Sequence, residues 1–257
     1  MLILLPPSEG KAVGSRGHPL DLDRLSFPEL SATRAGIVDA LIGASGRDDA
    51  LEVLGAPKGA KDQVDRNVEL WKAPTLPASA LYTGVLYDAL DLPSLDAAAK
   101  RRAARRLVVV SALFGALRPN DKVPSYRLSM DVDLPGIGKL AAAWRDPLAE
   151  VLPSAAGRGL VVDMRSSTYV AAWKPTGELA ERTVAVHVVR EEAGKRSVVS
   201  HMAKHTRGLV ARWLLETGVD PKTPEALADA LSAEHTVEID QPKAGKPRRL
   251  EIVETGQ

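Results

Sequence analysis

Basic side chains line one face of a helix predicted near the carboxyl end of the chain. The periodicity over 202–217 separates a basic from an apolar face. The basic face is expected to carry His201, Lys204, His205, Gly208 and Arg212, with Arg207 at its flank, and the apolar face Met202, Leu209, Val210, Trp213 and Leu214. The first three turns contain no acidic residue, whereas a solvated face usually mixes both signs. The pattern favours an anion-binding face, with an ordinary solvated surface as the alternative, and Gly208 would permit close approach of a ligand or a backbone.

A second set of candidate ligand-binding residues lies in the segment 114–133, which is predicted to be irregular. Arg127 offers a two-pronged fork for an anion beside the ring of Tyr126, and Arg118 precedes both. Long structured loops in compact domains are usually functional. The equally weighted alternative is that these arginines bridge carbonyl groups of the loop.

Polar residues also follow two predicted buried strands. Ser8, Glu9 and Lys11 come after the strand 2–5, Asp163 lies at the end of the strand 160–164, and Arg165 follows it before a short helical turn. Ligands commonly meet strand ends and helix starts of this kind. Ser166 or Ser167 could equally serve as a plain helix cap.

Two glycine-containing turns are similar to helix-hairpin-helix units, which present backbone N–H groups to a phosphate. One is 54–59, with Lys58 in the turn and Lys61 beyond it, and the other is 134–139. Each alone is weak evidence, because such turns are ordinarily connections. The basic run 100–106 could grip phosphates, but its place at a helix end favours a structural role.

These residues must be positioned by a mixed fold. Strands are predicted at 2–5, 107–110, 160–164, 183–190, 196–200, 235–240 and 249–253, and the longer helices at 28–43, 94–106, 139–151, 202–217 and 224–232. The helix at 94–106 is expected to be capped by Ser94, and 183–200 to form a hairpin. We therefore predict an α/β (mixed α+β) fold, one domain over 1–257 with a central mixed sheet flanked by helices.

Composition narrows the function further. The chain has 257 residues, 34 Lys+Arg against 33 Asp+Glu, and no cysteine, which excludes thiolate metal sites and a cysteine nucleophile. No nucleotide-binding or nucleophile-elbow motif occurs, and His201 and His205 lack an adjacent acidic base, so no metal and no cofactor are expected. We expect neither a signal peptide nor a membrane span, and hence a cytosolic protein.

Several segments together resemble the YaaA family of bacterial peroxide-stress proteins. They are Leu-Leu-Pro-Pro-Ser-Glu-Gly-Lys at 4–11, Tyr-Thr-Gly at 82–84, Ser-Ala-Leu-Phe-Gly-Ala-Leu-Arg-Pro at 111–119, Pro-Ser-Tyr-Arg-Leu-Ser-Met at 124–130 and Ala-Lys-His-Thr-Arg-Gly at 203–208. The resemblance implies a cytosolic protein that helps cells survive hydrogen peroxide by limiting free iron and oxidative DNA damage. It also implies a helix-hairpin-helix element and a positively charged cleft that binds DNA. The opening loop departs from the Ser-Pro-Ala-Lys of other members.

Two hypotheses follow for the function. The first is binding of duplex or distorted DNA in a basic cleft, with Tyr82 or Tyr126 stacking on an exposed base. The candidate DNA- and anion-binding residues are Ser8, Lys11, Lys58, Lys61, Tyr82, Arg118, Tyr126, Arg127, Arg165, Lys204, Arg207 and Arg212. The alternative is an enzyme for a small phosphorylated or carboxylated substrate, with Glu9 or Asp163 as base. Its pocket would consist of Ser8, Glu9, Lys11, Arg127 and Lys204. A compact pocket of these residues would favour the enzyme, and an open groove as wide as a duplex would favour DNA.

Overall fold

The computed structural model describes residues 1–255, which form a mixed sheet covered by helices. The strands are β1 (Leu2–Leu5), β2 (Thr75–Pro77), β3 (Leu107–Ser111), β4 (Gly115–Leu117), β5 (Lys122–Pro124), β6 (Asp133–Leu134), β7 (Gly138–Lys139), β8 (Val161–Asp163), β9 (Thr183–Glu192), β10 (Lys195–Ser197), β11 (Thr236–Ile239) and β12 (Arg248–Thr255). The α-helices are α1 (Ser31–Ser45), α2 (Ala50–Val53), α3 (Lys61–Asp65), α4 (Ala78–Leu81), α5 (Val85–Leu90), α6 (Ala97–Arg106), α7 (Leu140–Ala143), α8 (Arg145–Ala156), α9 (Ser167–Val170), α10 (Gly177–Glu181), α11 (Ser200–Thr217) and α12 (Pro224–Leu231). Short 3-10 turns cover Leu22–Arg24, Pro28–Leu30, Lys58–Ala60, Arg66–Glu69 and Leu92–Ser94. The predicted α/β (mixed α+β) class is confirmed.

The central sheet has the strand order β11-β12-β9-β8-β1-β3-β4, with β10 paired to β9. The strands β3, β1, β8, β9 and β12 run parallel to their neighbours, and β4, β10 and β11 are antiparallel additions. All four residues of β1 are fully buried, as its uninterrupted aliphatic sequence requires for a strand covered on both faces.

The chain changes direction within this sheet between β1 and β8. From β1 it continues to β3 on one side, whereas from β8 it continues to β9 on the other side. Connections that leave in opposite directions open a crevice outside the carboxyl ends of the two strands, where open α/β sheets usually bind ligands. The topology therefore marks the loops after β1 and β8 as the place for a site.

The predicted elements differ from the observed ones mainly at their ends. The cap of α6 is Asp96, which accepts a 2.6 Å hydrogen bond from the Ala99 amide, and not Ser94. The helix predicted at 139–151 is divided into α7 and α8 at Trp144. The hairpin predicted for 183–200 is formed by β9 and β10. Among residues 1–255 no helix combines the length and the apolar character that crossing a bilayer needs.

The segment 114–133 is more regular than the sequence indicates, because it contains β4 and β5. The fully buried Arg34 of α1 holds its first residues, with Nε donating to the Phe114 carbonyl at 2.9 Å and Nη2 to the Ala116 carbonyl at 2.8 Å. Burial lowers the pKa of Arg34 to about 10, and Asp121 opposes the shift. Arg34, which lies outside this segment, therefore bridges its carbonyls, whereas the alternative drawn from the sequence assigned that role to arginines within the segment.

Neither helix-hairpin-helix candidate is confirmed. The turn at 134–139 lies between β6 and β7, which pair antiparallel, so this segment is a small β-hairpin. At 54–61 the loop joins α2 and α3, which have only four and five residues. In the basic run, Arg102 donates to the Leu215 carbonyl and Arg106 to the Val219 carbonyl. These arginines therefore secure the end of α11, which supports the structural interpretation.

The buried face of α11 is rotated from the predicted one. Leu209 is 39% exposed, while Ala203, Val210, Ala211 and Leu214 are buried. The rotation arises because α11 packs against α5 as well as the sheet. An added Cβ at Gly208 would lie 2.3 Å from the Leu86 carbonyl oxygen, so glycine is needed for the backbones to approach this closely.

We expect the substitution Gly208→Ala to destabilise the protein, because the new methyl group would force α11 away from the Leu86 carbonyl. The free energy of unfolding should fall by about 1–3 kcal/mol, measured by urea denaturation. Gly43→Ala is the matched control, because Gly43 also lies in a helix but has no atom within 4 Å of the added Cβ. The control should be neutral or more stable by up to about 1 kcal/mol. Equal effects of the two substitutions would contradict the close packing of α5 and α11.

Candidate anion-binding site

A cavity of about 350 Å³ lies at the crevice outside β1 and β8. We call it the switch-point pocket. Its lining residues are Pro6, Pro7, Ser8, Glu9, Gly10, Lys11, Thr83, Gly84, Val85, Leu86, Tyr87, Arg127, Leu128, Ser129, Ser166, Tyr169, Lys204 and Arg207. They come from the loop after β1, the start of α5, the segment after β5, the start of α9 and the exposed side of α11.

Lys11 is held at the base of the loop that follows β1. Its Nζ donates to the Ser8 carbonyl oxygen at 2.7 Å and lies 4.3 Å from the centroid of the Tyr126 ring. Its backbone pairs with Tyr82 as an isolated β-bridge. Burial and, to a smaller extent, the nearby Arg127 charge lower the pKa of Lys11 to about 7, while Glu9 opposes the shift. A substantial fraction of this amine is therefore neutral near pH 7.

Beneath Lys11, buried hydroxyl groups form a continuous chain. The Tyr82 and Tyr126 hydroxyls are 3.1 Å apart, and the Tyr126 hydroxyl is 2.7 Å from Ser111 Oγ at the end of β3. Burial raises the pKa of both tyrosines, so the phenols stay neutral. Each is only 3% exposed, which corrects the expectation that one of them stacks on a base. The rings instead support the amine of Lys11.

Arg127 enters the pocket from a rigid backbone position. Its amide donates to Asn67 Oδ1 and its carbonyl accepts from Asn67 Nδ2, both at 2.9 Å. The Arg127 Nη2 atom lies 3.2 Å from Glu9 Oε2. Glu9 is 84% exposed at its side chain, so this ion pair is worth little and a ligand anion could replace the Glu9 carboxylate. Sequence reasoning missed the fully buried Asn67, because a single asparagine in a helical pattern carries no signal of a distant partner.

Two further cations reach the pocket from α11. Lys204 is exposed and forms no ion pair within the described residues. Arg207 donates from Nη2 to the Val186 carbonyl at 2.9 Å, while its buried Nε has no hydrogen-bond partner among residues 1–255. Burial lowers the pKa of Arg207, and Asp163 opposes the shift. An unpaired buried guanidinium N–H is costly, so Arg207 occupies its position at an energetic disadvantage.

The junction after β8 contributes side chains other than those expected from the sequence. Asp163 Oδ2 accepts from Arg165 Nη2 at 2.6 Å, and Arg165 also donates to the Tyr169 and Trp173 carbonyls. Asp163 is thus committed to a buried ion pair and is not available as a base, and Arg165 is structural rather than ligand-binding. Ser166 sits at the cap position of α9 without a capping side-chain bond, and it lines the pocket with Tyr169.

Other predicted residues lie outside the pocket. Arg118 donates to the Arg105 and Leu107 carbonyls, and Arg212 donates to the Leu90 and Asp91 carbonyls. Both guanidinium groups therefore secure helix ends, which corrects the expectation that they share a cleft with Lys11. Lys61 pairs with Asp65, and Lys58 lies in a short exposed turn. The predicted residues that the pocket does bring together are Ser8, Glu9, Lys11, Arg127, Lys204 and Arg207.

The residues proposed for the enzyme hypothesis thus converge on one compact pocket, apart from Asp163. Among residues 1–255 no cluster of three or more His, Asp or Glu side chains could hold a metal ion. The arrangement can bind a carboxylate or phosphate through Arg127, Lys204 and Arg207. Glu9 and the partly neutral Lys11 are the groups able to accept a proton beside it.

Fold and site together define a mixed α/β protein with a pocket lined by basic side chains at the switch point of its sheet. The chain belongs to the family described as peroxide stress protein YaaA, whose family model matches residues 1–240. It is 53% identical to a UPF0246 protein of Streptomyces coelicolor, with 98% of each chain covered. It is also 42% identical to a UPF0246 protein of Corynebacterium efficiens, over 98% of this chain and 100% of the relative. Membership supports a general role in oxidative stress.

We expect Lys11 to make stability depend on pH. Between about pH 7 and pH 10.5 the unfolded chain binds the Lys11 proton and the folded chain does not, so stability rises with pH in that window. The slope contributed is at most about 1.4 kcal/mol per pH unit. Urea unfolding at about pH 7, 8 and 9 should show this slope in the wild type and its reduction in Lys11→Met.

Lys72→Met provides the control, because Lys72 is exposed and does not line the pocket. It should retain the pH slope of the wild type. Parallel pH profiles for the wild type and Lys11→Met would show that the Lys11 amine is not held in the unfavourable environment described above.

Proposed function

We propose that this chain serves the oxidative-stress response by binding a small anionic molecule, a carboxylate or phosphate compound, in the switch-point pocket. The observation that carries the proposal is the convergence of Arg127, Lys204 and Arg207 on one cavity, whose lining contains a single, exposed carboxylate, Glu9. A ligand carboxylate or phosphate there could form charge-assisted hydrogen bonds with these side chains.

Size and charge favour a small molecule over a nucleic-acid backbone inside this cavity. About 350 Å³ falls in the range of small-molecule sites. Glu9 is the one carboxylate among the lining residues, and it is highly exposed at the rim. The interior therefore has an excess of positive charge, which a bound anion would reduce.

The pocket also supports chemistry on the bound molecule. Lys11 with a pKa near 7 can exchange a proton at neutral pH, and Glu9 lines the same cavity. The neighbouring tyrosines remain neutral because they are buried, so they orient the amine without competing for its proton. We propose that proton transfer to or from the anionic ligand involves Lys11 or Glu9.

Substituting Arg207 tests the proposal directly. Isothermal calorimetry with inorganic phosphate and a set of small carboxylates should detect binding to the wild type. Arg207→Met should weaken it at least about tenfold, because a charge-assisted hydrogen bond is lost. Arg207→Lys, which retains the charge, should retain part of the affinity and verifies that the loss is not unfolding. The exposed Arg158 provides a matched control, and Arg158→Met should bind as the wild type does. An unchanged affinity of Arg207→Met would refute the assignment.

The cellular role can be tested with the same variants. We propose that the bound ligand connects this protein to the limitation of free iron and of oxidative DNA damage. A strain lacking the gene should then contain more chelatable iron and survive hydrogen peroxide less well. The wild-type and Arg158→Met genes should restore both properties, whereas Arg207→Met should not. Full rescue by Arg207→Met would separate the stress role from the pocket.

DNA binding is the second candidate function, and one observation favours it. From Ser200 to Leu215 the helix α11 has no acidic residue, and it exposes His201, Lys204 and His205 beside the mouth of the pocket. A phosphate backbone could lie along this face while the pocket accepts one group from the DNA. This proposal differs from the first in needing the surface outside the cavity.

The salt dependence of the DNA affinity reports how many phosphates this surface contacts. Electrophoretic mobility shifts with duplex and distorted DNA should show an affinity that falls steeply with salt, and Lys204→Ala should reduce the slope by about one phosphate contact. Lys72→Ala, at another exposed lysine, should leave the slope unchanged. An absence of binding at low salt, or the same slope for Lys204→Ala, would rule out this mode.

A further inference from the structure

The amine of Lys11 lies at the switch-point pocket without an ion pair to any carboxylate among residues 1–255. Its hydrogen bonds go to the backbone carbonyls of Ser8 at 2.7 Å and Glu9 at 3.4 Å. The Tyr126 ring lies 4.3 Å away, and the Tyr82 ring 5.7 Å away. Loss of hydration and a neighbouring cation both favour the neutral, nucleophilic form of a lysine, and at Lys11 the packing of the pocket supplies the first and Arg127 the second.

We propose that Lys11 forms an imine with the carbonyl carbon of an anionic aldehyde or keto acid bound in the switch-point pocket. This inference rests on the anion-binding function proposed above and specifies its ligand class. Arg127, Lys204 and Arg207 line the same cavity, so they can hold the ligand's carboxylate or phosphate while its carbonyl meets the amine.

The step balances without an oxidant or a reductant. The nitrogen lone pair attacks the carbonyl carbon, a C–N bond forms, and the C=O π electrons move to oxygen. One proton passes from nitrogen to that oxygen to give a carbinolamine. A second proton transfer releases the oxygen as water while the C=N bond forms. Glu9 lines the pocket and can carry the protons between nitrogen and the departing water.

The protonation state of Lys11 at neutral pH agrees with imine formation. An ordinary lysine, with a pKa of about 10.4, is almost entirely protonated at pH 7 and does not attack carbonyl groups. Burial, together with Arg127, lowers the pKa of Lys11 to about 7. The neutral amine can donate one N–H to Ser8 while its lone pair remains for the ligand.

Reductive trapping tests the imine on the full-length protein. Glyoxylate is the probe, because it is a small aldehyde with a carboxylate, and cyanoborohydride reduces any imine to a stable adduct. Peptide mapping at about pH 7 should find Lys11 modified at least about tenfold faster than exposed Lys72 in the same molecules. Lactate, which has the carboxylate but no carbonyl, should slow labelling of Lys11 and not of Lys72. Lys204→Met should slow it as well, whereas Lys72→Met should not.

The outcomes separate the two proposals. Equal labelling of Lys11 and Lys72, while calorimetry detects anion binding, would overturn the imine and leave the anion pocket standing. Absence of both selective labelling and anion binding would overturn both. Selective labelling that neither lactate nor Lys204→Met slows would refute guidance of the carbonyl by the pocket cations. Because Lys11 and Lys72 are compared within the wild-type protein, a folding defect in a variant cannot produce the result.

Discussion

The placement of Lys11 over the Tyr126 ring is the constraint on which the pocket depends. Packing removes much of the hydration of the partly buried Lys11 amine, whose remaining contacts are the Ser8 carbonyl at 2.7 Å and the face of the Tyr126 ring. The Tyr126 ring is held under the amine by hydrogen bonds of its hydroxyl with Ser111 Oγ, at the end of β3, and with the Tyr82 hydroxyl. The loop after β1, the segment after β5 and the end of β3 are thereby joined at one point, and the lower pKa of the amine follows from the same burial.

The remaining cations reach this point through backbone contacts rather than through ion pairs. Gly208 lets α11 approach α5 closely, which sets Lys204 and Arg207 at the wall of the cavity. Arg127 is fixed by the buried Asn67, and the junction after β8 is fixed by the Asp163–Arg165 pair. Each of these contacts leaves the pocket cations without a strong internal counter-ion, since Glu9 is exposed at the rim. Folding removes most of the hydration of Arg127 and Arg207 but leaves Lys204 exposed, so the site would be partly preorganised for the anion proposed above.

Prediction from sequence succeeded where one local pattern determines one structure. The aliphatic runs of β1 and β8 and the turn between β9 and β10 are such cases, because burial and turn chemistry act within a few residues. It failed for side chains whose partners are distant in the chain. Arg118 and Arg212 were expected in a cleft, yet both bind carbonyls at helix ends, and nothing near them in sequence distinguishes a carbonyl from a ligand. The α11 face was misplaced for a related reason: contact with α5 buries Gly208 and leaves Leu209 exposed.

Local sequence patterns were sufficient to predict the mixed α/β class, the strands that end at the crevice and the types of residue that surround it, because hydrophobic periodicity and turn residues act over short stretches of chain. The sequence also contained the motifs shared with the peroxide-stress family. Which basic residues face one cavity depends on the packing of the folded chain, since an arginine side chain can bind a backbone carbonyl as readily as a ligand. The same packing makes Lys11 a weakly basic amine and Tyr82 and Tyr126 its buried support. Those properties depend on burial, which arises only when segments distant in the chain pack together.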